Sequence, residues 1–119
     1  MTDLDHTLIV TPRQIPSGPY VLEVTGGLDY HTAQLLTAAI NDAPLQGQGL
    51  VIDLSGLTYC DSTGITVLVI AYQKARAADS TFGLAGVSPH QMRVFQVVGL
   101  DQIFTFHATA EAAASALRP

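Results

Sequence analysis

The segment from Leu50 to Ala85 constrains the fold more than any other part of the chain. Leu50-Val51-Ile52-Asp53-Leu54 is a compact apolar run of strand length, the type buried on both faces of a sheet. Ile65, Leu68, Val69, Tyr72 and Ala75 then recur at helical steps, and Thr81-Phe82-Gly83-Leu84-Ala85 reads as a second strand. Strand, helix and strand in this order predict a right-handed parallel crossover. The expected class is therefore α/β, with a mixed sheet of four to five strands and about four helices.

The flanking segments complete that sheet. Thr7-Leu8-Ile9-Val10 reads as a short strand, and the proline-containing loop from Thr11 to Pro19 joins it to Tyr20-Val21-Leu22-Glu23-Val24-Thr25. In the latter, Tyr20, Leu22 and Val24 share one face, and the two strands pair as an antiparallel ribbon. Gly26-Gly27 is read as the end of the second strand. A helical stripe of Ala33, Leu36, Ala39, Ile40 and Ala43 follows, with Asp29 placed to accept from N–H groups at its start and Pro44 limiting its end. Ser55 to Asp61 reads as a loop. Ser88-Pro89 opens a third helix through Met92, Phe95 and Val98 that Gly99 stops. Ile103 to Phe106 is a last strand, and Thr109 caps an Ala-rich helix with Glu111 in its first turn.

The composition narrows the function classes. Of 119 residues, 48% are apolar and 13% charged, enough to form a core and too apolar for a disordered chain. Five basic against 10 acidic residues give a net charge of −5, and the single Lys74 with four scattered Arg makes no basic stripe. That argues against nucleic acid as a direct partner. The lone Cys60 forms no internal disulfide, the start Met1 to Asp5 lacks signal-peptide character, and the run from Ile65 to Tyr72 is far short of the roughly 20 residues that span a bilayer. The expected compartment is the cytoplasm, with no membrane anchor.

Several catalytic patterns are absent. Lys74 is preceded by Gln73, not Gly, and lies within a helix, so no phosphate-cradling loop forms around it. Cys60 stands where a nucleophile elbow around Ser62 needs Gly. His6, His31, His90 and His107 share no spacing that places two on one helix face, which leaves no metal expected. Asp53 and Asp61 are read as acceptors for loop N–H groups rather than as magnesium ligands. Cys60 is read as a small packing residue. No cofactor and no enzymatic activity are expected.

Ser62 is the residue that invites a functional reading. It is placed at the cap position of the second helix, ahead of Thr63-Gly64-Ile65-Thr66. A cap alone, worth about 1 kcal/mol, accounts for a serine there. A phosphoryl group on it would also meet free backbone N–H groups and the positive end of the helix dipole, so the domain itself would tolerate modification. A partner fitted to the uncharged surface would not.

Asp61-Ser62-Thr63-Gly64 resembles the phosphorylation-site motif of bacterial anti-sigma factor antagonists, small STAS domains with a kinase-target serine at the start of a helix. Val24-Thr25-Gly26-Gly27-Leu28-Asp29, with Thr32 and Ala33, is similar to the family's early strand-to-helix segment. Val87-Ser88-Pro89 with Phe95 and Val98-Gly99-Leu100 is similar to its third helix and exit. The resemblance runs in order from about Val21 to Leu117, and the expected domain is a single STAS domain over residues 1–119. Two departures stand out. Gly27 occupies a position where the family often has Glu, which removes a polar contact to a partner, and the loop from Thr11 to Pro19 looks longer than usual.

The resemblance implies partner switching. The unphosphorylated protein binds an anti-sigma factor that is itself a serine/threonine kinase, and so frees a sigma factor. Phosphorylation of Ser62 ends the complex, and a PP2C-type phosphatase restores it. Asp29, Tyr59, Asp61, Ser62, Thr63 and Gly64 are the expected partner-binding residues, with Tyr59 the foremost interface side chain and Thr63 the second candidate hydroxyl. The protein is expected to be a monomer or weak dimer. The alternative reading is a STAS scaffold subunit of a stress-signalling assembly, or a transport-associated STAS protein.

Overall fold

The computed structural model describes residues 7–16, 18–45 and 47–117. The start Met1 to Asp5, His6 and part of the Thr11 to Pro19 loop lie outside the described residues. Among the described residues ten elements follow one another: β1 (Leu8–Gln14), β2 (Tyr20–Leu28), α1 (Ala33–Asp42), β3 (Leu50–Cys60), α2 (Ser62–Ala77), β4 (Phe82–Ala85), α3 (Pro89–Val97), a 3-10 turn (Leu100–Gln102), β5 (Thr105–His107) and α4 (Ala110–Ala116). The five strands lie in sequence order, with β1 antiparallel to β2 and every other neighbouring pair parallel. The mixed α/β sheet expected from the sequence is the one observed.

Register builds the core. Leu22 lies opposite Ile52, and Ile52 opposite Leu84, so three fully buried side chains stand side by side on one face. Leu36 and Ile40 of α1, Leu68 of α2 and Phe95 of α3 cover them. Each such side chain contributes about 1.5–3 kcal/mol on burial. The alternate residues Val21 and Val51 point to the opposite face, where Ala110 and Ala113 of α4 cover them. Phe82, Phe95, Phe104 and Phe106 join in tilted and edge-to-face contacts at the β4–β5 end.

Several boundaries differ from the sequence expectation. β1 runs through Pro12 to Gln14, because it is an edge strand and needs no outward N–H at that residue. β2 continues through Gly26-Gly27 to Leu28, with irregular register on either side of Val24 and after Gly26, where φ is +107°. The segment Ser55 to Cys60 is strand, not loop. β3 pairs with β4 only as far as Asp53, but with β2 as far as Cys60, so its second half is an exposed extension without an apolar pattern.

The buried line of α2 is Gly64, Val67, Leu68, Ala71 and Ala75, with Ile65, Val69 and Tyr72 packed on its flanks. Small residues face the sheet because the helix approaches it closely. In α3 the buried residues are Gln91 and Phe95, and Val98 is exposed, since the helix ends at Val97 and Leu100 takes the core position beyond it. β5 begins at Thr105 rather than Ile103, leaving Ile103 exposed. Ser88 and Thr109 cap α3 and α4 as expected, accepting from Gln91 N at 3.1 Å and from Ala112 N at 3.0 Å. Among the described residues no helix is long and apolar enough to cross a membrane.

Candidate functional site

The extension of β3 delivers Tyr59, Cys60 and Asp61 directly into α2. Asp61, not Ser62, is the N-cap: its Oδ1 accepts from Gly64 N at 3.0 Å, and α2 begins at Ser62. The carboxylate reaches the third N–H of the helix from the position just before it, the geometry of a side-chain cap. Ser62 is therefore the first helical residue, one place further on than the sequence suggested. It is exposed, and its hydroxyl has no hydrogen-bond partner among the described residues. A cap serine would have its oxygen occupied, whereas this one is unengaged. Helix geometry leaves the N–H groups of Ser62 and Thr63 without intrahelical acceptors. Thr63 is half-buried, and the Thr66 hydroxyl donates to Ser62 O at 3.0 Å.

Gly64 does more than relax the first turn. A Cβ there would stand 2.7 Å from both Cys60 Sγ and Leu28 Cγ, and 2.9 Å from Leu28 O. The start of α2 thus rests on the end of β2 at backbone distance. Cys60 is wedged into the same contact, and burial, with the Asp61 charge adding, pushes its thiol up to about 12. It is a packing residue.

The turn between β2 and α1 stands against this segment. Asp29 is only 6% exposed, and its Oδ1 accepts from His31 N at 2.9 Å and Thr32 N at 3.1 Å. It closes the turn ahead of α1 rather than the helix's own first turn, whose cap position is Thr32. Thr32 donates its hydroxyl to Gly27 O at 2.7 Å and accepts from Asp29 N at 3.0 Å. The Tyr59 hydroxyl donates to Asp29 Oδ2, while its ring fills the space above Gly27. Asp29 is thereby withdrawn from the surface, and Tyr59, 38% exposed, stands over it. Two bonds tie the turn to the helix start: Asp61 N donates to Leu28 O at 3.1 Å, and Tyr30 N to Asp61 Oδ2 at 3.1 Å.

The structure brings Asp29, Tyr59, Asp61, Ser62, Thr63 and Gly64 into one continuous region. Tyr30, 76% exposed at the tip of the turn, is a neighbour that sequence reading weighed as an aromatic contact but ranked behind Tyr59. Asp29-x-x-Thr32 is a recognisable side-chain-closed turn that would have pointed to it. Asp53 is apart, accepting from Ser55 N at 2.9 Å. Among the described residues no three His, Cys, Asp or Glu side chains group to hold a metal ion.

Residues 13–106 match the family described as "Mlab, STAS domain". The chain belongs to the STAS domain family. Among relatives of this STAS domain, the "Anti-sigma-B factor antagonist" of Listeria monocytogenes is 36% identical over 81 residues, 67% of this chain and 71% of the relative. The crystal structure of an anti-sigma factor antagonist from Mycobacterium paratuberculosis is 30% identical with a TM-score of 0.83, covering 96% of this chain and 97% of that one. The Bacillus cell fate determinant SpoIIAA in its phosphorylated form is 25% identical with a TM-score of 0.72, over 92% of this chain and 100% of that one.

Proposed function

We propose that this STAS domain is an anti-sigma factor antagonist switched by phosphorylation of Ser62, the whole chain acting as one domain in the cytoplasm. Its unphosphorylated surface around Ser62 binds an anti-sigma factor that is itself a serine/threonine kinase, and the sigma factor held by that kinase is released. The kinase then transfers the γ-phosphoryl of ATP to Ser62: the bond to ADP breaks, the Oγ–P bond forms, and the hydroxyl proton passes to a base of the kinase. A PP2C-type phosphatase hydrolyses the phosphoserine and returns the active form. This chain supplies a hydroxyl and a surface, as a substrate and binding module rather than an enzyme.

The observation that carries the reading is the unengaged, exposed hydroxyl of Ser62 beside a cap supplied by Asp61. Modification there leaves the core in place, yet adds about −1.5 to −2 charge against the Asp61 carboxylate. A partner seated on the region would have to bury that charge unpaired, which favours release. Partner-contacting roles for Tyr59, Ser62 and Thr63 follow from their common surface, with Asp29, Asp61 and the buried Gly64, expected from the sequence as a contact itself, holding that surface in shape.

Intact-mass measurement of the protein incubated with the kinase and ATP tests this. One phosphate is expected on the wild type and none on Ser62→Ala; a phosphate surviving in Ser62→Ala would move the site elsewhere, first to Thr63. The alternative reading is a scaffold subunit of a stress-signalling assembly or a transport-associated STAS protein. Size-exclusion of the native protein separates the two, a small species supporting the antagonist and a large assembly the scaffold.

A further inference from the structure

The Asp61 carboxylate holds both sides of the site. One carboxylate oxygen takes Gly64 N at the start of α2, and the other takes Tyr30 N, 31 positions earlier in the chain. Tyr30 is the most exposed large side chain of the region, and its ring meets His31 edge-on at a centroid distance of 5.5 Å. Its direction therefore depends on the backbone of the turn. That backbone is fixed on the Asp29 side by the Tyr59 hydroxyl and the Thr32 network, and on the Tyr30 side by Asp61.

We infer that Asp61 is a positioning residue through which the state of Ser62 controls the turn presenting Tyr30, so that modification alters two elements of the docking surface rather than one. This rests on Ser62 being the modified residue. A dianionic phosphate on the residue next to Asp61 repels its carboxylate and competes with it for the N–H groups of the first helical turn. Gly64 N can pass to a phosphate oxygen, but Tyr30 N, on the other strand end, cannot follow. The bond from Tyr30 to Asp61 is then the one that weakens, and the tip of the turn is freed while Asp29 stays closed by Thr32 and Tyr59. Tyr30 is accordingly a second contact for the partner that recognises unmodified Ser62, and it is presented only when Asp61 is undisturbed.

Amide hydrogen exchange by NMR on the full chain, with phosphoserine installed genetically at position 62, tests the coupling without any partner. The expected result is exchange of the Tyr30 amide about tenfold or more faster in the phosphoserine protein than in the unmodified one, as for loss of a hydrogen bond to a charged group. The amides of His31 and Thr32, held by Asp29, are expected to change little. In Asp61→Asn the amide has one accepting oxygen, which caps Gly64 N, so Tyr30 N already lacks its acceptor and phosphoserine is expected to accelerate the Tyr30 amide no further. An unchanged Tyr30 amide in the phosphoserine protein, or an equal acceleration in Asp61→Asn, overturns the inference. Because the phosphate is installed rather than transferred, neither outcome depends on a kinase, and failure of the Ser62 assignment would show separately in the mass measurement.

Discussion

The ring of Tyr59 occupies the space in which a side chain on residue 27 would stand, and its hydroxyl reaches across to the buried carboxylate of Asp29. The absence of a side chain at Gly27 and the inward position of Tyr59 are thus one feature. What looked in the sequence like a lost polar contact is, in the fold, the opening that admits an aromatic lid.

Gly27→Ala is expected to displace the Tyr59 ring and strip Asp29 of that donor, at a cost of about 1–2 kcal/mol. The same substitution made in Tyr59→Ala protein is expected to cost far less. A double-mutant cycle by urea denaturation measures the difference, and equal costs in the two backgrounds would show that the residues are not coupled.

Gly64→Ala runs against helix propensity. In an exposed helix the change gains up to about 1 kcal/mol. Here the new methyl meets Leu28 O at 2.9 Å and Cys60 Sγ at 2.7 Å, so net destabilisation of about 1–3 kcal/mol is expected. A raised midpoint in denaturant would refute the close contact of α2 with β2.

These two glycines mark the limit of what could be read in advance. The order of strands and helices was legible because Leu50–Leu54, the α1 stripe and the Ser88-Pro89 and Thr109 caps obey local rules. The extension of β3 was not, since Ser55–Cys60 pairs only with β2 and holds no fully buried side chain to impose alternation. The cap was misplaced by one residue because Asp61 and Ser62 are both good caps; the bond from Gly64 N to the Asp61 carboxylate distinguishes them. The residues of the phosphosite motif were visible in the chain, but the turn that leans on them was not, because the bonds joining them cross from β2 to β3.

Asp61→Ala is expected to cost about 1–2 kcal/mol through loss of the α2 cap, whereas Asp61→Asn keeps one accepting oxygen for Gly64 N, loses the one that takes Tyr30 N, and is expected to lie between Asp61→Ala and the wild type. Thermal denaturation of both variants checks this. A wild-type midpoint in Asp61→Ala would contradict the cap.

Cys60 makes a pH prediction. Its thiol is raised from 9.0 to about 12 in the fold, so the unfolded chain releases this proton first as pH rises. The folded state is favoured fully below pH about 9, and the contribution of Cys60 is lost progressively between about 9 and 12. Cys60→Ala is expected to lessen that alkaline decline in urea-melt stability. Native protein at neutral pH is expected to resist iodoacetamide, with rapid alkylation only after unfolding; fast native alkylation would contradict the burial of the thiol.

The most direct test of the switch is calorimetric titration of the kinase partner with the unmodified protein and with the protein carrying phosphoserine at position 62. The account expects tight binding of the first and a loss of about a hundredfold or more for the second, the effect of an uncompensated charge in a closed interface. Equal affinities for the two forms would contradict it.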